Sequence, residues 1–184
     1  MGMKKVAVVV APGFEKGETL TIVDIMRRAH IQCDMFGFNK VVQGGHGIEV
    51  ACDDVLSEKD LDYNMIVLPG GYGGSRAMRD SDLMMDLLHQ MNEKGKYICA
   101  MCAAPIVLER AGLLEGKNFT AYQGYDQKID QGHYLEDKVV IDGQIVTSQG
   151  PATPYPFAFQ IIEALGQDTS EMKERLMYNF AGGR

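Results

Sequence analysis

The chain alternates short β-branched runs that end in glycine or proline with longer stretches of helical period. The first run, "KKVAVVVAPGF" (4–14), is apolar without interruption until Pro12-Gly13. A strand that is apolar on both faces belongs in a sheet covered by helices on both sides, the usual setting of parallel strands. "EKGETLTIVDIMRRAH" (15–30) follows with Leu20, Val23 and Met26-Arg27 at helical spacing. "IQCDMFGF" (31–38) reads as a second strand, and "VVQGGHGIEVACD" (41–53) as a hairpin turning on its glycines. "YNMIVLPGGYGG" (63–74) is another buried strand running into a glycine-rich loop, after which Ser81 caps a helix through about Glu93. "KYICAM" (96–101) is the next strand, with Pro105 near the start of the helix after it. "VVIDGQIVTSQG" (139–150) is a hairpin around Asp142-Gly143. Helices over about Phe157–Leu165 and Ser170–Tyr178 close the chain. This order predicts an open, largely parallel α/β sandwich formed by one domain over residues 1–184.

With 184 residues, 46% of them hydrophobic, such a domain has enough apolar material for an ordinary core. The net charge of −7, with no basic cluster longer than Lys4-Lys5 or Arg27-Arg28, argues against nucleic acid as a partner. The apolar run Val6–Ala11 is too short for a signal-peptide core or a membrane span. Met1-Gly2 lacks the Ser or Thr of a myristoylation signal, since Val6 stands at that place, and reads as a cloning remnant. Four scattered cysteines do not form a disulfide framework, which points to a reducing cytoplasm.

Function turns on "ICAMCAAPIVLE" (98–109), where Cys99 and Cys102 stand three apart. If 97–101 is a strand, the two side chains point to opposite faces with Cα atoms about 10 Å apart, beyond the roughly 7 Å limit of a disulfide. A zinc site lacks a second cysteine pair and a suitably spaced histidine. Cys99 is a small core residue. Cys102 falls where the strand meets the helix, followed by Ala103 and Ala104. That is the form of a nucleophile elbow, a tight turn that lifts a side chain above the carboxyl edge of the sheet. A nearby helix N-terminus favours a thiolate, and the following N–H groups can face an oxyanion. From this local pattern alone, an inert buried thiol fits equally well.

Two other segments reach the same edge. "PGGYGG" (69–74) lacks the third glycine of a dinucleotide fingerprint and the Lys-Ser/Thr of a P-loop. It is either a flexible turn or a place where Gly70 and Gly71 bring N–H groups to a reacting atom. Glu15 and Glu18 begin the first helix. Either they favour the helix dipole, or one of them, desolvated beside the thiol, holds a proton near neutral pH as general acid/base. His30, His46 and His89 read as surface or loop residues and His133 as part of a polar turn, so none stands out as a catalytic base.

"PGFEKGET", "VDIMRRA", "VLPGG", "AMCAAP", "GHY" and "TSQGPATPYPFAFQIIEAL" occur in the order and spacing of the ThiJ/PfpI superfamily, which the chain resembles over essentially its whole length. Within it the resemblance is to the DJ-1-like subfamily. It implies a flavodoxin-like three-layer sandwich, akin to the class I glutamine amidotransferases, commonly a homodimer, with no cofactor and no metal. By motif, Cys102 matches the oxidation-prone nucleophile and Glu18 the glutamate that shares its proton. Gly71 and Ala103 match the backbone donors, and Cys52 a peripheral, often dimer-proximal cysteine.

The departures are specific. Ala103 stands where the peptidase branch has histidine, and the downstream His-x-Glu of the amidotransferases is absent. "FTAYQG" supplies Tyr122 where glyoxalase members carry histidine, Gln149 follows "TS" in place of arginine, and Ala104 replaces a glycine. The expectation is a cytoplasmic, cofactor-free glyoxalase or deglycase, not a peptidase. It would convert small aldehydes or dicarbonyls such as methylglyoxal and glyoxal to hydroxy acids through Cys102 and Glu18, with Gly70, Gly71, Ala103 and Tyr122 around the substrate. The alternative is a stress sensor or chaperone acting through oxidation of Cys102.

Overall fold

A computed structural model describes residues 4–58 and 62–182. Met1 and Gly2, read above as a remnant, lie outside the described residues. In chain order the elements are β1 (Lys5–Val10), α1 (Lys16–Arg28), β2 (Gln32–Gly37), β3 (Val41–Gln43), β4 (Glu49–Ala51), β5 (Asp54–Val55) and β6 (Met65–Leu68). There follow α2 (Tyr72–Arg79), α3 (Asp82–Glu93), β7 (Tyr97–Met101), α4 (Pro105–Arg110), β8 (Asn118–Phe119) and β9 (His133–Tyr134). The chain closes with β10 (Val139–Asp142), β11 (Ile145–Ser148), α5 (Pro154–Ala164) and α6 (Ser170–Arg175).

Seven strands form the main sheet in the order β10-β11-β7-β6-β1-β2-β5. Every pair is parallel except β10 with β11, the hairpin expected around Asp142-Gly143. The central strands are buried along their length, as their β-branched runs require: Val6 to Val10 and Met65 to Leu68 are wholly inaccessible. Right-handed crossovers place helices on opposite faces when the chain moves in opposite directions along the sheet. From β1 it steps to β2 through α1, and from β6 it steps the other way to β7 through α2 and α3. Accordingly α1 packs with α5, and α2 packs with α3 and α4. This is the open, largely parallel α/β sandwich that the alternating pattern implied, with the flavodoxin-like architecture that the resemblance implied.

The reversal of direction between β1 and β6 opens a crevice at the carboxyl ends of the strands, where open α/β sheets bind ligands. The loops after β1, β6 and β7 all end there.

Several local readings need correction. "GYGG" is not loop. It opens α2, because Gly73 and Gly74 let the helix backbone press onto the β1–α1 loop; a Cβ on Gly73 would lie 3.1 Å from Gly13 Cα. α5 starts at Pro154, earlier than the apolar period suggested, with proline in its first turn. α6 ends at Arg175. Leu20 is exposed, and α1 buries Ile22, Val23, Ile25 and Met26 instead. The two-residue strands β5, β8 and β9 carry too little pattern to be read.

Candidate active site

Cys102 follows β7 with φ of +61°, in the left-handed region that a non-glycine residue occupies at a cost of about 1–3 kcal/mol. The strain is held from both sides. Cys102 N–H donates to Ser148 O at 2.9 Å, and Tyr122 N–H donates to Cys102 O at 2.8 Å. The turn aims the thiol out of the strand direction, as an elbow does. Pro105 occupies the first turn of α4 directly after it. Cys99, two residues into the buried stretch before the elbow, has no accessible surface, and all four cysteines are free thiols.

The two glutamates of the first helix separate cleanly. Glu15 is the N-cap of α1: its Oε1 accepts the Gly17 N–H at 3.2 Å and lies 3.0 Å from Lys16 Nζ. Glu18 is wholly buried within the first turn. Its Oε2 accepts the Gly70 N–H at 2.7 Å. Its Oε1, also buried, meets no N–H or O–H donor among the described residues, and the polar group facing the carboxyl is the Cys102 thiol.

Gly70 makes this meeting possible. A Cβ there would lie 2.4 Å from Cys102 Cβ, 2.8 Å from Glu18 Oε2 and 3.0 Å from the sulfur. Its N–H is committed to Glu18, so Gly70 is not an oxyanion donor, contrary to the sequence reading. The N–H groups that approach the sulfur are those of Gly71, at φ +94°, and Ala103.

Burial raises the Glu18 carboxyl to about 7, against the lowering effects of its hydrogen bonds to Cys102 and Gly70. Burial also pushes the Cys102 thiol up; the charge of Glu18 adds to that rise, and the Gly71 and Ala103 N–H groups oppose it. Desolvation therefore outweighs the helix terminus that the sequence suggested as a source of thiolate. The two acids titrate as a unit, the first proton leaving near 7 and the second far above it. At neutral pH the pair carries at most one negative charge. With that charge on sulfur, the proton left on the Glu18 carboxyl is available to donate to it.

The thiol opens onto a cleft of about 340 Å³ lined by Glu15, His46, Gly71, Tyr72, Ala103 and Tyr122 among others. Tyr122 is brought to the site as expected. Its ring meets Tyr72 edge-on, with centroids 6.3 Å apart. Tyr72 and His46 were missed. Tyr72 sits in the stretch taken for a loop, and His46 reaches the cleft from the β3–β4 turn, a placement its local sequence does not disclose. His30 and His133 do not line the cleft, and His89 bonds Ala111 O at 2.9 Å.

A sequence profile of the DJ-1/PfpI family matches residues 4–164. Protein dj-1beta of Drosophila melanogaster is 39% identical over 167 residues, covering 88% of this chain and 89% of the relative. The glutathione-independent glyoxalase DJR-1.2 of Caenorhabditis elegans is 31% identical over 170 residues, covering 90% and 91%. The crystal structure of Drosophila melanogaster DJ-1beta superimposes with a TM-score of 0.89 at 35% identity, covering 98% of each chain. These matches establish that the chain belongs to the DJ-1/PfpI family.

Proposed function

We propose that this protein converts small α-dicarbonyls such as methylglyoxal to hydroxy acids without a cofactor. The observation that carries this reading is the meeting of Cys102 and Glu18 across Gly70: one buried pair with one charge to share, beneath an open cleft. The C. elegans relative named as a glyoxalase supports it.

Cys102 sulfur attacks the aldehyde carbon: an S–C bond forms, the C=O π bond breaks, and the oxygen takes the Glu18 proton to give a hemithioacetal. The oxygen develops its charge near the Gly71 and Ala103 N–H groups, which are fixed by the backbone before reaction and need no reorganisation. Glu18, now a carboxylate, removes the hydrogen from that carbon and returns it to the neighbouring carbonyl carbon, while the hydroxyl proton passes from the first oxygen to the second. The product is a thioester, an isomer of the hemithioacetal, so no outside oxidant or reductant is consumed. Water releases the hydroxy acid and restores the thiol. A carboxyl near 7 suits this alternation, being both a usable acid and a usable base at neutral pH.

Proton NMR of methylglyoxal incubated with protein tests the scheme. Wild type forms lactate; Glu18→Gln binds the aldehyde on Cys102 but forms none. Equal lactate from both proteins would contradict the role of Glu18. A peptidase role has no support in the site, because Ala103 occupies the place of the adjacent imidazole and is buried.

A further inference from the structure

His46 stands at the tip of the β3–β4 hairpin with φ of +62° and ψ of +26°, a conformation uncommon outside glycine. The tip is tied down over the cleft rather than left free. Gly13 N–H donates to Gln43 O at 2.8 Å, Gly45 N–H to Phe14 O at 2.9 Å, and Gly44 N–H to Ile48 O at 2.8 Å. The β1–α1 loop that positions Glu18 thus also holds the backbone beside His46.

The ring is oriented as well. Lys16 Nζ lies 2.9 Å from His46 Nδ1 and is itself held 3.0 Å from Oε1 of the helix cap Glu15. An ammonium has donors only, so Nδ1 accepts and the imidazole proton sits on Nε2. Nε2 makes no hydrogen bond to any described residue, and the side chain lines the same cleft as Cys102 and Tyr122. His46 is exposed at the mouth of the cleft and presents there an oriented imidazole N–H, in a chain whose Tyr122 provides none.

We infer that His46 is a substrate-contacting residue of this cleft, its Nε2–H donating to the second carbonyl oxygen of a dicarbonyl held on Cys102, with Lys16 as its positioning residue. The bond forms to the oxygen that gains electron density when the hemithioacetal loses its hydrogen, and no proton need leave His46. The identity of the occupant rests on the proposed dicarbonyl chemistry; the presence of the donor does not.

The test measures adduct affinity, which exists whether or not turnover follows. Methylglyoxal protects Cys102 from iodoacetamide, and the protection midpoint at fixed pH, read by intact-protein mass spectrometry, gives the adduct dissociation constant. Glutamine places an amide N–H near the position of Nε2, whereas asparagine places one near Nδ1 and tolerates a left-handed backbone. The midpoint should rise about three- to tenfold in His46→Asn, the range expected for one hydrogen bond. It should rise less in His46→Gln, and by about two- to fivefold in Lys16→Met, each midpoint being normalised to that variant's own alkylation rate without methylglyoxal because the Lys16 charge also acts on Glu18. Midpoints within twofold of wild type in His46→Asn, or no protection in wild type, overturn the assignment. Lactate formation followed in parallel judges the proposed function by itself: protection that depends on His46 without any lactate retains this donor and rejects turnover.

Discussion

The N–H of Gly70 donates to Glu18 Oε2 at 2.7 Å, while the bare Cα of the same glycine faces the Cys102 sulfur. One residue thus fixes one acid and makes room for the other. Gly70→Ala should break this arrangement, because the added Cβ would fall 2.4 Å from Cys102 Cβ, against a partner fixed in a strained turn. We expect destabilisation of about 1–3 kcal/mol by overpacking, with loss of rapid Cys102 alkylation. Denaturant melts beside iodoacetamide kinetics check both; a variant matching wild type in both would show that the close approach has no consequence.

Glu18 should make stability depend on pH. Its folded value of about 7 lies above the ordinary carboxyl value of 4.5, so the fold binds a proton that the unfolded chain releases. The contribution is fully present below about 4.5 and is lost as pH rises through about 7, on the order of 3 kcal/mol for the isolated group. Glu18→Gln carries no titrating group and should flatten the profile between those values. Denaturant midpoints across that window measure it, and parallel slopes for the two proteins would contradict the burial assigned to Glu18.

The same residue should govern the thiol. Alkylation of Cys102 should rise with an apparent midpoint near 7 in wild type, as the pair loses its first proton. Glu18→Leu keeps the burial that pushes the thiol up and removes the O–H donor, so the midpoint should move upward; Glu18→Gln, which retains an N–H donor, should move it less. Identical pH profiles for all three proteins would separate the two groups functionally.

How much of this was legible in the chain differs by element. The β-branched runs at 6–10 and 65–68 announced their burial, because a parallel strand has no solvent face to alternate with. The elbow at Cys102 was legible as a strand–helix junction, but its left-handed φ and its support from Ser148 and Tyr122 are tertiary facts. Local sequence could not tell Glu15 from Glu18, since both sit at a helix start; the structure makes one a cap and buries the other. α2 was hidden because glycines lower helix propensity, and only the backbone packing on Gly13 and Phe14 recovers it. His46 reaches the cleft through hydrogen bonds between residues about 30 apart in sequence, such as Gly13 with Gln43, which no periodicity records.

Oxidation should single out one thiol. Cys99 is inaccessible, Cys33 and Cys52 are buried away from the cleft, and Cys102 opens onto it. Mild peroxide followed by peptide mass spectrometry should place sulfinate on Cys102 first. First oxidation at Cys33, Cys52 or Cys99 would count against the site.

Tyr122 bears on how fast the chemistry runs. A phenol hydroxyl donates a hydrogen bond but is a poorer general base than an imidazole, so wild type should be slower than a protein with an imidazole there, by no more than about 10²–10⁴-fold. Tyr122→His should raise kcat for methylglyoxal and leave peroxide sensitivity of Cys102 unchanged. A variant no faster than wild type would place the proton transfer wholly with other groups.

The proposed function rests on turnover of dicarbonyls by Cys102. Its most direct test is the steady-state rate of methylglyoxal loss coupled to lactate formation, for wild type and Cys102→Ala, each with and without Tyr122→His. Lactate should form with both proteins that keep Cys102, more with the histidine variant, and none above background with either alanine variant. Absence of Cys102-dependent lactate in wild type and in Tyr122→His alike would contradict it and leave oxidation of Cys102 as the chemistry of this site.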